Sequence, residues 1–160
     1  MGEKKVMLVA MDENKHSSYA LEWTLQTFFT PFQSSPSPFK LVILYARPFT
    51  PIPVSVAGPS FVDVLPTLEV QIKTVADQIT DKARQMCADK FVEDVEVEVI
   101  EGDARNVLCD AVDRHHASVL ILGSHGYGKL KRAFLGSVSD YCAHHVNCSV
   151  MIVKKPKSKN

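Results

Sequence analysis

Residues 122–140, LGSHGYGKLKRAFLGSVSD, gather glycines, hydroxyls and positive charge into one short segment. Within it, GSHGYGKL comes one residue short of G-x-x-x-x-G-K-[ST], the loop that wraps phosphates between a strand and its helix. Leu130 stands where that loop needs a magnesium-binding hydroxyl, and residues 129–135 separate Gly128 from the next helix start at Gly136 and Ser137. A nucleophile elbow fails too, because G-x-S-x-G would need a glycine where Leu122 stands. Ser124 beside His125 is no catalytic dyad, since general-base chemistry requires the side chains to hydrogen-bond. A third register fits better: Gly123-x2-Gly126-x9-Gly136-Ser137. Here the glycines let backbone approach a phosphate chain, and Gly136 and Ser137 open a helix whose free N–H groups face the anion. That helix end contributes about 0.3–2 kcal/mol to holding an anion, and Lys129, Lys131 and Arg132 add charge beside it. The same spacing is also compatible with a tight turn and a Gly-Ser helix start that hold no ligand.

Positioning such a loop requires strands that end at it. Val6 to Met11 and Leu41 to Ala46 are short apolar runs that read as strands buried on both faces, and Asp12 closes the first. Between them Ala20, Leu21, Leu25 and Phe28 recur at helical spacing, with Ser17 or Ser18 as the expected cap. Residues 47–66 hold five prolines and no clear period, which predicts a long loop. From Leu68 through Ile72, Val75, Ala76, Ile79, Ala83 and Met86 the spacing predicts a long amphipathic helix. Val95, Val97 and Val99 alternate with glutamates, the pattern of an edge strand with one wet face. A third helix follows over Ala104, Val107, Leu108, Ala111 and Val112, then a strand from Ser118 to Leu122 that runs into Gly123. A fourth helix carries Val138, Tyr141, Cys142, His145 and Val146, and Val150, Met151, Ile152 and Val153 form the last strand.

Strands alternating with helices imply an α/β fold with a parallel sheet, right-handed crossovers and helices on both faces. Ligands of such sheets bind beyond the carboxyl ends of the strands where the strand order reverses. Asp12 and Gly123 would then meet at one crevice, although Asp12 could equally cap its own turn.

The remaining features narrow the field. A chain of 160 residues suits one domain, 1–160, able to bury roughly 70% of its unfolded surface. Its 18 Lys and Arg balance 18 Asp and Glu, so no global field invites nucleic acid; the basic tail 154–160 reads as a solvated end. No apolar run approaches the roughly 20 residues that cross a bilayer, and the four cysteines form no C-x-x-C pair. A reducing cytoplasmic location, with the nucleus as the alternative, and free buried thiols are the expectation. The pairs His115-His116 and His144-His145 point about 100° apart on a helix and clamp no metal. Trp23 reads as core packing and His145 as a packed or interface histidine.

The glycine spacing, the Asp12 ending of strand 1, the second strand run and GSVSD together resemble the ATP-binding members of the universal stress protein family. The resemblance covers nearly the whole chain, and the Pro-rich connection is similar to plant single-domain members. It implies a five-stranded parallel sheet in the order 3-2-1-4-5, Rossmann-like and of the adenine nucleotide alpha hydrolase-like type. It also implies that adenine lies against Ala10, Met11 and Ile43, with Asp12 hydrogen-bonding the nucleoside. Leu122 and Gly123 would flank the ribose and phosphates, and Gly126, Gly136, Ser137, Val138 and Ser139 would hold the phosphate chain. The implied ligand is ATP, with AMP and an accompanying magnesium ion as alternatives. The implied assembly is a homodimer through strand 5, Val150, Met151, Ile152 and Val153. Ser149 departs from the proline many relatives have there and leaves the phosphate motif untouched.

Three functions share this fold: a nucleotide-binding stress-response module, a slow ATPase on the same loop, or a chaperone-like protein that needs no nucleotide. The residues supply no evident general base beside the phosphates, so binding is favoured over turnover.

Overall fold

A computed structural model describes residues 2–49, 59–124 and 136–157, with side chains from 66 onward in the second span. Five parallel strands, β1 (Lys5–Met11), β2 (Phe39–Arg47), β3 (Val95–Glu101), β4 (Val119–Gly123) and β5 (Ser149–Val153), form one sheet in the order β3-β2-β1-β4-β5. This is the implied order. β1 lies between β2 and β4, so the chain reverses direction of travel across the sheet at the carboxyl ends of β1 and β4.

The strand alternation builds two cores. Met7, Val9, Met11, Leu41, Ile43 and Tyr45 project to one face, where α1 (Lys15–Thr24) and α2 (Pro59–Asp89) cover them with Ala20, Leu21, Ala76, Ile79 and Ala83. Leu8, Val42, Leu44, Leu120 and Leu122 project to the other face, against Val107, Leu108, Ala111 and Val112 of α3 (Ala104–His115) and Cys142 of α4 (Ser137–His145). Burying a large aliphatic side chain contributes about 1.5–3 kcal/mol, and Leu8, Leu21, Leu41, Ile43, Leu44, Leu120 and Ile121 are all sealed from solvent. Trp23 packs at the margin of the first core, edge-on to Phe28.

Local chemistry moves several boundaries from where the sequence pattern put them. Asn14, not Ser17 or Ser18, caps α1, its side chain accepting from the His16 N–H at 2.9 Å. Ser17 is buried and serves the strand end instead. Beyond Thr24 the helix widens into a π-helical turn, Leu25–Phe29, and tightens into a 3₁₀ turn, Thr30–Phe32, where Pro31 has no N–H to continue the ladder. α2 begins at Pro59, inside the stretch 47–66 expected as loop, because proline's fixed φ suits a first helical turn. Pro66 also sits within this helix.

The wet face expected on β3 is largely occupied. It is the face turned toward α3, where Glu98 receives both Arg114 Nη1 and Nη2, at 3.0 and 2.9 Å, and faces His115 Nε2 at 2.8 Å. Glu96 pairs with Lys40 at 3.0 Å. Hydrogen bonding from Arg114 holds the Glu98 carboxyl at about 2, below its ordinary 4.5. Two helices end on non-glycine residues in the left-handed region, Phe91 (φ 57°) after α2 and His116 (φ 49°) after α3. Each closes the two backbone bonds of a Schellman turn: Phe91 N–H to Ala88 and Val92 N–H to Cys87, and His116 N–H to Asp113 and Ala117 N–H to Val112.

Candidate functional site

At the reversal point the carboxyl ends of β1 and β4 part, and α1, α3 and α4 wall a crevice of about 540 Å³ counting its open mouth. Ala10, Met11 and Asp12 come from the end of β1, Leu122 and Gly123 from the end of β4, and Val138 and Ser139 from the first turn of α4. Seven of the eleven residues singled out in the sequence therefore share one cavity. Gly136 and Ser137 stand immediately before Val138, at the start of α4. Gly126 lies outside the described residues, as do Lys129, Lys131 and Arg132.

Ile43 is a correction. Its side chain is 1% exposed and belongs to the core under α1 and α2, on the opposite side of the sheet from the crevice. A strand presents alternate residues to alternate faces, so β2 contributes Leu44 and Ala46 to the cavity instead. The sequence run of uninterrupted apolar residues carries no mark of which parity faces the crevice. Met11 obeys the same rule: its side chain is buried in the first core, so its backbone is what it offers to the crevice.

Asp12 performs the turn-capping task that the sequence left open. Its Oδ1 accepts from the Asn14 N–H at 2.8 Å and from the Ser17 hydroxyl at 2.7 Å, while its own N–H donates to Ser17 Oγ at 3.0 Å. These bonds tie the end of β1 to the first turn of α1 and fix the carboxylate at the crevice wall. Nearby, burial first and then the Glu13 and Asp12 charges push the Tyr45 phenol above its ordinary value of 10.0, which keeps it protonated.

Gly123 is required by packing. A Cβ at this position would lie 2.5 Å from the His16 carbonyl oxygen, 2.6 Å from its carbon and 2.9 Å from the Ser17 nitrogen, all backbone atoms. The absent side chain lets the first turn of α1 lean directly on the end of β4. Gly136 differs, because its φ of −59° and ψ of 160° suit any residue; backbone geometry does not demand glycine there. Among the described residues no side chain caps α4, and Ser139 in its first turn is buried at the cavity wall.

Sequence reasoning missed His16, Ser17, Leu44, Ala46, Ala104 and Leu108, all of which line the crevice. Ala104 and Leu108 were assigned to a helix face, but nothing local indicates that one end of that face overlooks the cavity. His16 was legible only as a polar residue near a helix start. His145, expected to pack or to lie in an interface, is exposed and stacks on Tyr141 with ring centroids 3.9 Å apart. Glu96, Glu98 and His115 bring candidate metal-ligand atoms within 4.8 Å of one another. Lys40 and Arg114 already neutralise the two carboxylates, and the group acts as an ion-pair network. Among the described residues no helix is long and apolar enough to cross a membrane.

The chain matches the model of the Universal stress protein family over residues 4–154. It is 28% identical to the Arabidopsis thaliana universal stress protein PHOS34, over 99% of this chain and 65% of that protein, so it spans about two thirds of that relative's length. An Arabidopsis thaliana universal stress protein A-like protein is 27% identical over 85% of this chain and 77% of its own. Among solved structures, the fold is similar to the universal stress protein UspA of Lactobacillus plantarum, with a TM-score of 0.70, 18% identity and coverage of 96% and 99% of the two chains. It is also similar to an Arabidopsis thaliana family member crystallised with AMP bound, with a TM-score of 0.65, 23% identity and coverage of 95% and 92%. A sheet in the order 3-2-1-4-5, a crevice at its reversal point and a match across nearly the whole length place the chain in the universal stress protein family.

Proposed function

We propose that this protein binds an adenine nucleotide, ATP or AMP, in the crevice between β1 and β4 and acts as a nucleotide-dependent module of a stress response. The observation that carries the reading is the convergence in one cavity of an apolar slot, an anchored carboxylate and the first turn of α4. Ala10, Leu44, Ala46 and Leu122 offer the apolar walls that a purine ring needs, and Asp12 offers an acceptor to nucleoside donors. The N–H groups at the start of α4 suit a phosphate. A glycine at position 136 that the backbone does not require is what close approach of a phosphate chain would select. A relative crystallised with AMP and a universal stress protein in complex with cAMP support the same ligand class.

Magnesium, if carried with ATP, would be held by phosphate oxygens and nearby hydroxyls. Binding rather than turnover remains the favoured activity, with slow ATP hydrolysis and nucleotide-independent client protection as the rivals.

The direct test is calorimetric titration with ATP and AMP of the purified protein and of Gly136→Val and Asp12→Asn variants. Gly136→Val is expected to abolish binding while leaving thermal stability unchanged. Asp12→Asn keeps the turn-capping acceptor and loses the charge; hydrogen bonds to charged groups contribute about 1.5–3 kcal/mol, so affinity should fall about 10- to 150-fold. Unchanged affinity in both variants removes the crevice as the site. Phosphate release that survives rigorous purification and disappears in Gly136→Val would instead establish the ATPase. Protection of a client protein that is equal in Gly136→Val would establish the third reading.

We further propose a homodimer through β5. This strand closes one edge of the sheet with exposed backbone pairing groups. Its Ile152 is half-buried and, among the described residues, packs into neither core, unlike Val150 and Met151.

A further inference from the structure

We propose that Ser17 is a positioning residue of the crevice: its hydroxyl closes a ring between the main chain and the side chain of Asp12, locks that carboxylate in one rotamer, and so sets the affinity for the nucleotide. The effect on affinity rests on the nucleotide reading above, whereas the ring stands without it.

The Ser17 hydroxyl lies within reach of three acceptors: Asp12 Oδ1 at 2.7 Å, the Asn14 carbonyl oxygen at 2.9 Å and the Asp12 carbonyl oxygen at 3.2 Å. A serine has one proton to give. Two oxygens 2.7 Å apart with no proton between them repel, and a carboxylate accepts a shorter, stronger bond than a neutral carbonyl. The proton therefore goes to Oδ1. The same serine oxygen accepts the Asp12 N–H at 3.0 Å. The path thus leaves the Asp12 amide, passes through one hydroxyl and returns to the Asp12 carboxylate, so rotation about χ1 of Asp12 breaks it. The Asn14 N–H adds a second donor to Oδ1 at 2.8 Å. With Oδ1 held from two sides, the direction in which the carboxylate meets the crevice is fixed as well.

The serine is itself held in place. It is 7% exposed, it stands in the first turn of α1, and its N–H donates to the Asn14 carbonyl at 3.1 Å. The end of β4 leans on it, since a Cβ on Gly123 would come within 2.9 Å of the Ser17 nitrogen. β1, α1 and β4 therefore meet at this residue, and Ser17 lines the same crevice as Asp12 and Gly123. Alanine is the better helix former, and a buried hydroxyl needs partners; the ring with Asp12 supplies the reason for serine here.

The size of the effect follows from the rotamers. A released χ1 has three staggered wells. If only one presents the carboxylate to a nucleoside donor, the competent fraction falls toward one third and the apparent Kd rises by its inverse, about threefold.

The test measures three-bond couplings to the Asp12 β-protons by NMR in the isotope-labelled full-length protein and in Ser17→Ala, with and without AMP, and titrates both calorimetrically with AMP. The ligand-free parent should show a single χ1 rotamer and Ser17→Ala an average over several. AMP affinity should fall about threefold in the variant, and saturating AMP should return its couplings to the parent values, because the ligand then selects the competent rotamer. A purely structural role for Ser17 would lower the melting temperature and leave these couplings unmoved. Averaging already present in the parent, or a single rotamer in Ser17→Ala, overturns the ring. Averaging in Ser17→Ala with undiminished AMP affinity, or averaging that persists at saturation, overturns the positioning role. A parent that binds no AMP refutes the nucleotide reading and the affinity effect that rests on it, while the ligand-free couplings still decide the ring.

Discussion

Replacing Gly123 with alanine separates two reasons for a glycine at the end of β4. If this residue serves only to admit a phosphate chain, the ligand-free alanine variant should be as stable as the parent. The structure argues otherwise. The new Cβ would sit 2.5 Å from the His16 carbonyl oxygen, where ordinary contact begins at 3.4 Å, so strand and helix must part by 0.9 Å. The three nearest atoms are backbone, and no side chain can rotate away to relieve the clash. Overpacking costs about 1–3 kcal/mol, and a rigid backbone partner puts this case at about 2–3 kcal/mol. For a chain of this size each kcal/mol shifts the melting temperature by roughly 2–4 °C, so Gly123→Ala should melt about 4–12 °C lower without any nucleotide present. Urea titration should show a lower midpoint at an unchanged slope. Displacing the first turn of α1 also disturbs the Ser17 hydroxyl bond to Asp12, and nucleotide affinity should fall with stability. Ser124→Ala, one residue on, serves as the control and should stay within about 0.5 kcal/mol of the parent. A ligand-free Gly123→Ala protein that melts with the parent would refute the packing argument.

Other consequences are open to equally direct measurement. His116→Gly relieves a left-handed backbone that costs a non-glycine residue about 1–2 kcal/mol, offset in part by glycine's larger unfolded-state entropy; a net gain of about 0.5–1 kcal/mol should appear as a higher melting temperature. Glu98 has its folded carboxyl at about 2 against an ordinary 4.5. Its stabilisation is therefore complete above pH 4.5 and lost as pH falls toward 2, so Glu98→Gln should cost roughly 2 kcal/mol near neutrality and flatten the acid limb in that window. Should the variant retain the full acid limb, Glu98 is not its source. Ile152→Lys places a charge on the β5 edge and should yield monomer by sedimentation; an unchanged dimer mass would exclude this edge as the interface.

The sheet and its helices were legible because they rest on short-range periodicity. Two-sided apolar runs mark β1, β2 and β4, and the recurrence of Val75, Ile79, Ala83 and Met86 at threes and fours marks α2. The glycine spacing after β4 could be matched to a strand end and a helix start for the same reason. Capping was read less well, since Asn14 and Ser17 are both good caps by type, and Ser17 goes to Asp12 only because β1 and α1 meet at that angle. Pro59 could open a helix or extend a loop with equal local ease.

Residue order alone therefore determined which strands exist, that they are parallel, and which glycine-rich segment follows β4. Tertiary structure decided what faces what. It put Ile43 on the far side of the sheet and Leu44 and Ala46 in the crevice, and it turned Gly123 from a ligand glycine into a packing one as well. It also brought His16 to the cavity wall. The physical reason is common to them all. Periodicity along a chain specifies faces only relative to their own element, and which face meets which neighbour depends on the packing of elements distant in sequence.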